Sequence, residues 1–116
     1  SDIINKKPTL SKSELSKITS LRSYVINNLE ISFTILKLSR YFGISPKKLQ
    51  MGVKYLYGDS VGHYILSLRM SHAKHLLITA DFNVSEVCDR VGISSRSYFS
   101  KVFKARYGKL PSEYIH

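Results

Sequence analysis

Apolar side chains along this chain recur every three to four positions, and no segment keeps the strict alternation of a half-buried strand. The pattern predicts an all-α fold. Ser11 with Glu14 three residues on forms a capping-box pattern, followed by Leu15, Ile18, Leu21, Val25, Ile26 and Leu29 on one face of a helix over about Ser13 to Asn28. Thr34 can cap a short helix through Ile35, Leu38, Ser39 and Phe42, which Gly43 stops. Ser45 before Pro46 opens another, because serine is a favoured cap and proline is pre-set for the first helical position; it runs to Tyr57 and ends at Gly58. A longer helix from Ser60 to Thr79 turns Tyr64, Ile65, Leu68, Ala73, Leu76 and Leu77 inward. Asn83 and Glu86 then cap a short helix with Val84, Val87, Cys88 and Val91, halted by Gly92. Ser94 is expected to cap the helix carrying Phe99, Phe103 and Tyr107, which closes at Gly108, and a last turn begins at Pro111.

The chain repeats itself. Offset by 49 residues, Leu38 falls on Val87, Ser39 on Cys88, Gly43 on Gly92, Ile44 on Ile93 and Ser45 on Ser94. With one residue inserted in the second copy, Leu49 matches Phe99, Val53 matches Phe103, Lys54 matches Lys104, Tyr57 matches Tyr107 and Tyr64 matches Tyr114. A repeat of this length is a structural unit used twice. In each copy a small residue four before a glycine lets two helices approach, and the glycine takes a turn that a side chain would resist: a helix-turn-helix. In the second helix of each unit the apolar positions Leu49, Val53 and Leu56, or Phe99, Phe103 and Tyr107, face the core. Lys47, Gln50, Met51 and Lys54 remain outside in the first unit, and Arg96, Ser97, Lys101 and Lys104 in the second. Those residue types hydrogen-bond base edges and phosphates in a major groove. The connecting helix, about 20 residues at 1.5 Å each, is a rod of roughly 30 Å. Successive major-groove faces lie about 34–36 Å apart, so the two reading helices are expected to enter neighbouring grooves.

Charge sharpens this picture. Lysine and arginine number 18 against 8 acids, a formal net charge of +10, and 43% of the residues are hydrophobic, enough for one modest core. From Ile31 to Gly58 there are five bases and no acid, and from Arg90 to Pro111 six bases and no acid. One such stretch is an ordinary solvated helix face; two with matching internal patterns point to a polyanion. Cys88 is the single cysteine, and no apolar run reaches the roughly 20 residues of a membrane span, so a reducing, cytoplasmic setting is expected. Residues 1–12 read as a linker or lead-in and 13–116 as the domain, with the two units at about 34–58 and 83–108.

With Arg69, Ala73, Leu76-Leu77, Thr79, Val84, Val91-Gly92-Ile93-Ser94, Ser97-Tyr98-Phe99, Val102-Phe103-Lys104, Tyr107-Gly108, Pro111 and Tyr114, the sequence resembles the AraC/XylS-type bacterial transcription regulators over nearly its whole length. The resemblance implies seven helices in two helix-turn-helix subdomains joined by a long linker helix, bound to double-stranded promoter DNA. It also implies a transcription activator that contacts RNA polymerase, with a separate effector or dimerisation domain in a longer protein. By motif position, the base-reading residues would be Lys47, Gln50 and Met51 and then Arg96, Ser97, Tyr98 and Lys101. Ser45, Pro46, Lys54, Ser95, Lys104 and Arg106 would face phosphates. Met51 stands where the family often has an arginine, and Gly52 sits inside a helix at a cost of about 0.5–1 kcal/mol. The second unit is therefore expected to be the stronger base reader. Leu110 replaces a common threonine cap before Pro111, which predicts a short final helix.

Other chemistries fit less well. His72 and His75 lie three apart without a Glu or Cys at ligand spacing, so no metal or cofactor is expected. Cys88 sits at the small-residue position of its unit and reads as a packed thiol rather than a nucleophile. DNA-repair methyltransferases carry a similar helical module but need a cysteine-centred metal site, which one cysteine cannot build, and no phosphate loop, carboxylate pair or catalytic triad is present. The remaining alternative is a basic helical module that binds an anionic membrane, or nucleic acid without specificity.

Overall fold

The structure, a computed structural model, describes residues 9–115, whose regular elements are all helical. Helix α1 spans Lys12–Ile26, α2 Ile35–Phe42, α3 Pro46–Tyr57, α4 Val61–Thr79, α5 Val84–Arg90 and α6 Arg96–Tyr107, followed by a 3-10 turn at Pro111–Tyr114. The all-α expectation holds, with six α-helices and this turn among the described residues rather than seven helices. The last element stays short because Leu110 offers no side-chain oxygen to cap it; only Glu113 reaches back, its carboxylate accepting from the Leu110 N–H at 3.0 Å.

The helix boundaries follow local chemistry. Ser11 and Glu14 close a reciprocal capping box, as do Asn83 and Glu86, and Thr34 and Ser45 each accept one amide. The Ser60 hydroxyl accepts from the His63 N–H at 3.2 Å ahead of α4. One cap differs from the expectation. Ser95, not Ser94, accepts from the Tyr98 N–H at 3.2 Å, so the extra residue of the second copy lies in the turn and Ser45 corresponds to Ser95. Most of the stretch read as a lead-in lies outside the described residues, but its end does not: Ser11 caps α1 and Lys12 begins it.

The chain divides into two compact units. One holds residues up to Asn27 and Phe33–Leu66; the other holds Asn28–Ser32 and everything from Ser67 on. In the first, α3 packs against α1 and α2 over Ile18, Leu21, Val25, Leu38, Leu49 and Val53, all at most 1% exposed. Leu15, expected in that stripe, is 39% exposed. In the second, α6 packs on α5 and on the final turn, with Phe99 and Phe103 fully buried. Each buried ring removes about 150–250 Å² from water, and these two are the largest fully buried side chains of the unit's core. The matched tyrosines meet in both copies: the Tyr57 and Tyr64 rings stack 4.2 Å apart, and Tyr107 meets Tyr114 edge-on at 6.4 Å.

Candidate nucleic-acid interface

Each unit presents the second helix of its helix-turn-helix. In the first, Gly43 ends α2 at φ 64°, a left-handed geometry that costs most side chains about 1–2 kcal/mol. The Ser39 hydroxyl donates to the Ile44 carbonyl just past that glycine, and Lys17 Nζ donates to the Gly43 carbonyl at 3.1 Å. In the second, Gly92 has φ 77°, and the Cys88 thiol donates to the Ile93 carbonyl at 3.0 Å. The small residue thus allows close approach and also satisfies a carbonyl in the turn. Burial, and then the neighbouring Asp89 carboxylate, push the Cys88 thiol above its ordinary pKa, keeping it a protonated donor.

On α3, Lys47, Gln50, Met51, Lys54 and Tyr55 are exposed at spacings of three and four, while Leu49 and Val53 are buried behind them. Ser45 and Pro46 are exposed at the start of the helix. Gly52 is the departure that structure explains. It is buried against α1, and a Cβ there would collide with Ile18 Cδ1 and lie 3.2 Å from Ile18 Cγ1. The glycine lowers helix propensity in exchange for a close helix crossing. Lys48, beside the reading face, pairs with Glu14 of α1 at 2.9 Å. The Ser11 amide, together with Lys48, holds the Glu14 carboxyl down at about 2.

On α6, Arg96, Ser97, Tyr98, Lys101 and Lys104 are exposed, with Phe99 and Phe103 anchoring the opposite side. Ser95 is exposed at the cap. Arg106 is exposed too but is engaged within its unit, its guanidinium donating to the Ser67 hydroxyl at 2.9 Å. The predicted reading residues of both units therefore gather on two exposed helical faces.

Arg69 is a residue whose role sequence reasoning missed. It is 8% exposed and donates to the carbonyls of Leu29, Val91 at 2.6 Å and Ile31 at 3.0 Å. Burial lowers its guanidinium pKa. It joins the Asn28–Ser32 segment to the turn that launches α6, and only its place in the family motif marked it in the sequence. Burial, and then His75, lower the His72 pKa, and the two rings lie 6.2 Å apart. Among the described residues no three His, Cys, Asp or Glu side chains converge on a metal position, and no helix is long and apolar enough to cross a membrane.

Residues 38–116 match the family described as a helix-turn-helix domain. The chain is 31% identical over 99 residues to the HTH-type transcriptional activator RhaR of Enterobacter sp. (strain 638), an alignment covering 85% of this chain and 35% of that protein. The chain thus spans about a third of the length of that curated relative. Among solved structures, it superposes on the C-terminal domain of AraT, a response regulator from Geobacillus stearothermophilus, with a TM-score of 0.77 at 27% identity, covering 92% of this chain and 86% of that one. It shares its fold with the DNA-binding domain of AdpA, a global transcriptional factor solved in complex with a target DNA. There the TM-score is 0.77 at 23% identity over 87% and 88% of the two chains.

Proposed function

The chain belongs to the AraC-type helix-turn-helix family, a family of DNA-binding transcription regulators rather than enzymes, and from that premise we propose that it binds promoter duplexes through α3 and α6. The observation that carries the reading is the matched pair of faces. Each unit ends its first helix at a left-handed glycine or one residue before it, caps the next helix with a serine, and exposes a polar, basic stripe whose opposite side is fully buried. Lys47, Gln50 and Met51 of α3, and Arg96, Ser97, Tyr98 and Lys101 of α6, read base edges in two major grooves. Ser45, Pro46, Lys54, Ser95, Lys104 and Arg106 set the register on phosphates. For Arg106 this requires exchange of the Ser67 hydroxyl for a phosphate oxygen, a stronger, charge-assisted partner.

The regulator acts in the cytoplasm and activates transcription by contact with RNA polymerase. A separate effector or dimerisation domain controls it, a reading supported by the greater length of the curated relatives. The test is site selection from random duplexes, followed by competition against random DNA. Arg96→Ala is expected to reduce discrimination by about tenfold, in line with 1–3 kcal/mol for a bidentate base contact, while Lys104→Ala weakens binding to all sequences alike. Equal losses on selected and random DNA for both variants would leave only a non-specific clamp.

A further inference from the structure

The exposed faces of α3 and α6 carry different chemistries. On α3 the turn after the cap presents Gln50 and Met51, with Tyr55 one turn beyond Met51; Met51 is 43% and Tyr55 45% exposed. The glutamine amide presents a donor NH₂ beside an acceptor oxygen, which matches the N6 donor and N7 acceptor of adenine. The methionine thioether offers no donor. Set against guanine it would strip water from two acceptors and replace it with nothing, whereas the C5-methyl of thymine gives it apolar contact. Of the neighbouring cations, Lys48 is held by Glu14 at 2.9 Å, and Lys47, in the first turn, is the one α3 reading residue that would take a guanine. On α6 the exposed bases Arg96 and Lys101 are donors only, and they match guanine, which presents two acceptors, O6 and N7.

Resting on the duplex-reading function above, we propose that the two half-sites differ in base composition: A·T pairs under Gln50 and Met51 of α3, with a thymine methyl against Met51, and a guanine edge under α6. Met51 is then a specificity-determining residue rather than a lost contact.

The test uses duplexes selected by the protein from a random pool. The half whose enrichment disappears in Arg96→Ala is assigned to α6, and the other to α3. In the α3 half, thymine is replaced by deoxyuridine, which lacks only the methyl; in the α6 half, guanine is replaced by 7-deazaguanine, which lacks only the N7 acceptor. Deoxyuridine is expected to weaken binding about fourfold per contacted methyl, the effect of about one buried CH₂. That loss should vanish in Met51→Ala, whose exposed position leaves the core untouched. The 7-deazaguanine change should cost about tenfold and be indifferent to Met51→Ala. An α3 half that is G·C throughout, or a deoxyuridine effect that is absent or persists in Met51→Ala, overturns the inference while leaving sequence-specific binding standing. Failure to enrich any sequence overturns both.

Discussion

In the first unit the turn before the reading helix is braced from outside by a lysine, Lys17 on the Gly43 carbonyl; in the second, a buried guanidinium lies beneath the same turn. A Cβ on Gly43 would meet only Lys17 Nζ, 3.6 Å away, whereas one on Gly92 would collide with the Leu29 backbone oxygen and with Arg69. The close packing of the first unit lies elsewhere, at Gly52 against Ile18. One backbone plan is thus made rigid at different places: at the helix crossing in one copy, at the turn in the other. The second copy also carries the larger aromatic core, with Phe99 and Phe103 fully buried where the first has Leu49 and Val53.

The largest expected effect separates the two turns. Gly43→Ala should cost about 1 kcal/mol, the penalty of a left-handed residue alone. Gly92→Ala should cost more than about 3 kcal/mol, because backbone must also move. Urea unfolding of both variants checks this, and equal costs would erase the asymmetry. Arg69→Met comes next, at about 2–4 kcal/mol, since it leaves three carbonyls short of a partner. Its loss should appear in amide exchange around Val91 and the start of α6 before it appears around α3. A uniform rise in exchange would argue against a local clasp.

Smaller effects sharpen the first unit. Gly52→Ala adds about 0.5–1 kcal/mol of helix propensity but overpacks Ile18 by about 1–3 kcal/mol, so net destabilisation of about 1 kcal/mol is expected in thermal melts. A stabilised variant would mean that Ile18 swings aside freely. The smallest effect is acidic. Glu14 titrates at about 2 when folded against an ordinary 4.5, so its contribution is present above pH 4.5 and fades as pH falls toward 2. Glu14→Gln should flatten that part of the melting-temperature profile. An unchanged profile would mean that neither the Ser11 amide nor Lys48 stabilises the carboxylate in solution.

What could be read from the sequence was local. Thr34, Ser45 with Pro46, and Asn83 with Glu86 act over three residues, and the glycines that end α2, α3 and α6 act on their own backbone. The exposed faces were legible for the same reason, since Leu49 with Val53 and Phe99 with Phe103 fix which side of each helix is covered. The Arg69 clasp was not, because its acceptors lie 40, 38 and 22 residues away. Nor was the reason for Gly52, whose neighbour Ile18 belongs to another helix. Ser94 and Ser95 are chemically equal caps, and only the geometry of the turn chooses between them.

The dependence of duplex affinity on salt tests most directly whether these basic faces meet DNA. Each neutralised phosphate contributes about 0.9 to the slope of log affinity against log salt, so Lys54, Lys104 and Arg106 together predict a slope of about −3 or steeper on a selected duplex. The double variant Lys54→Ala with Lys104→Ala should be shallower by about 2. An affinity that holds constant from low to high salt would contradict the account.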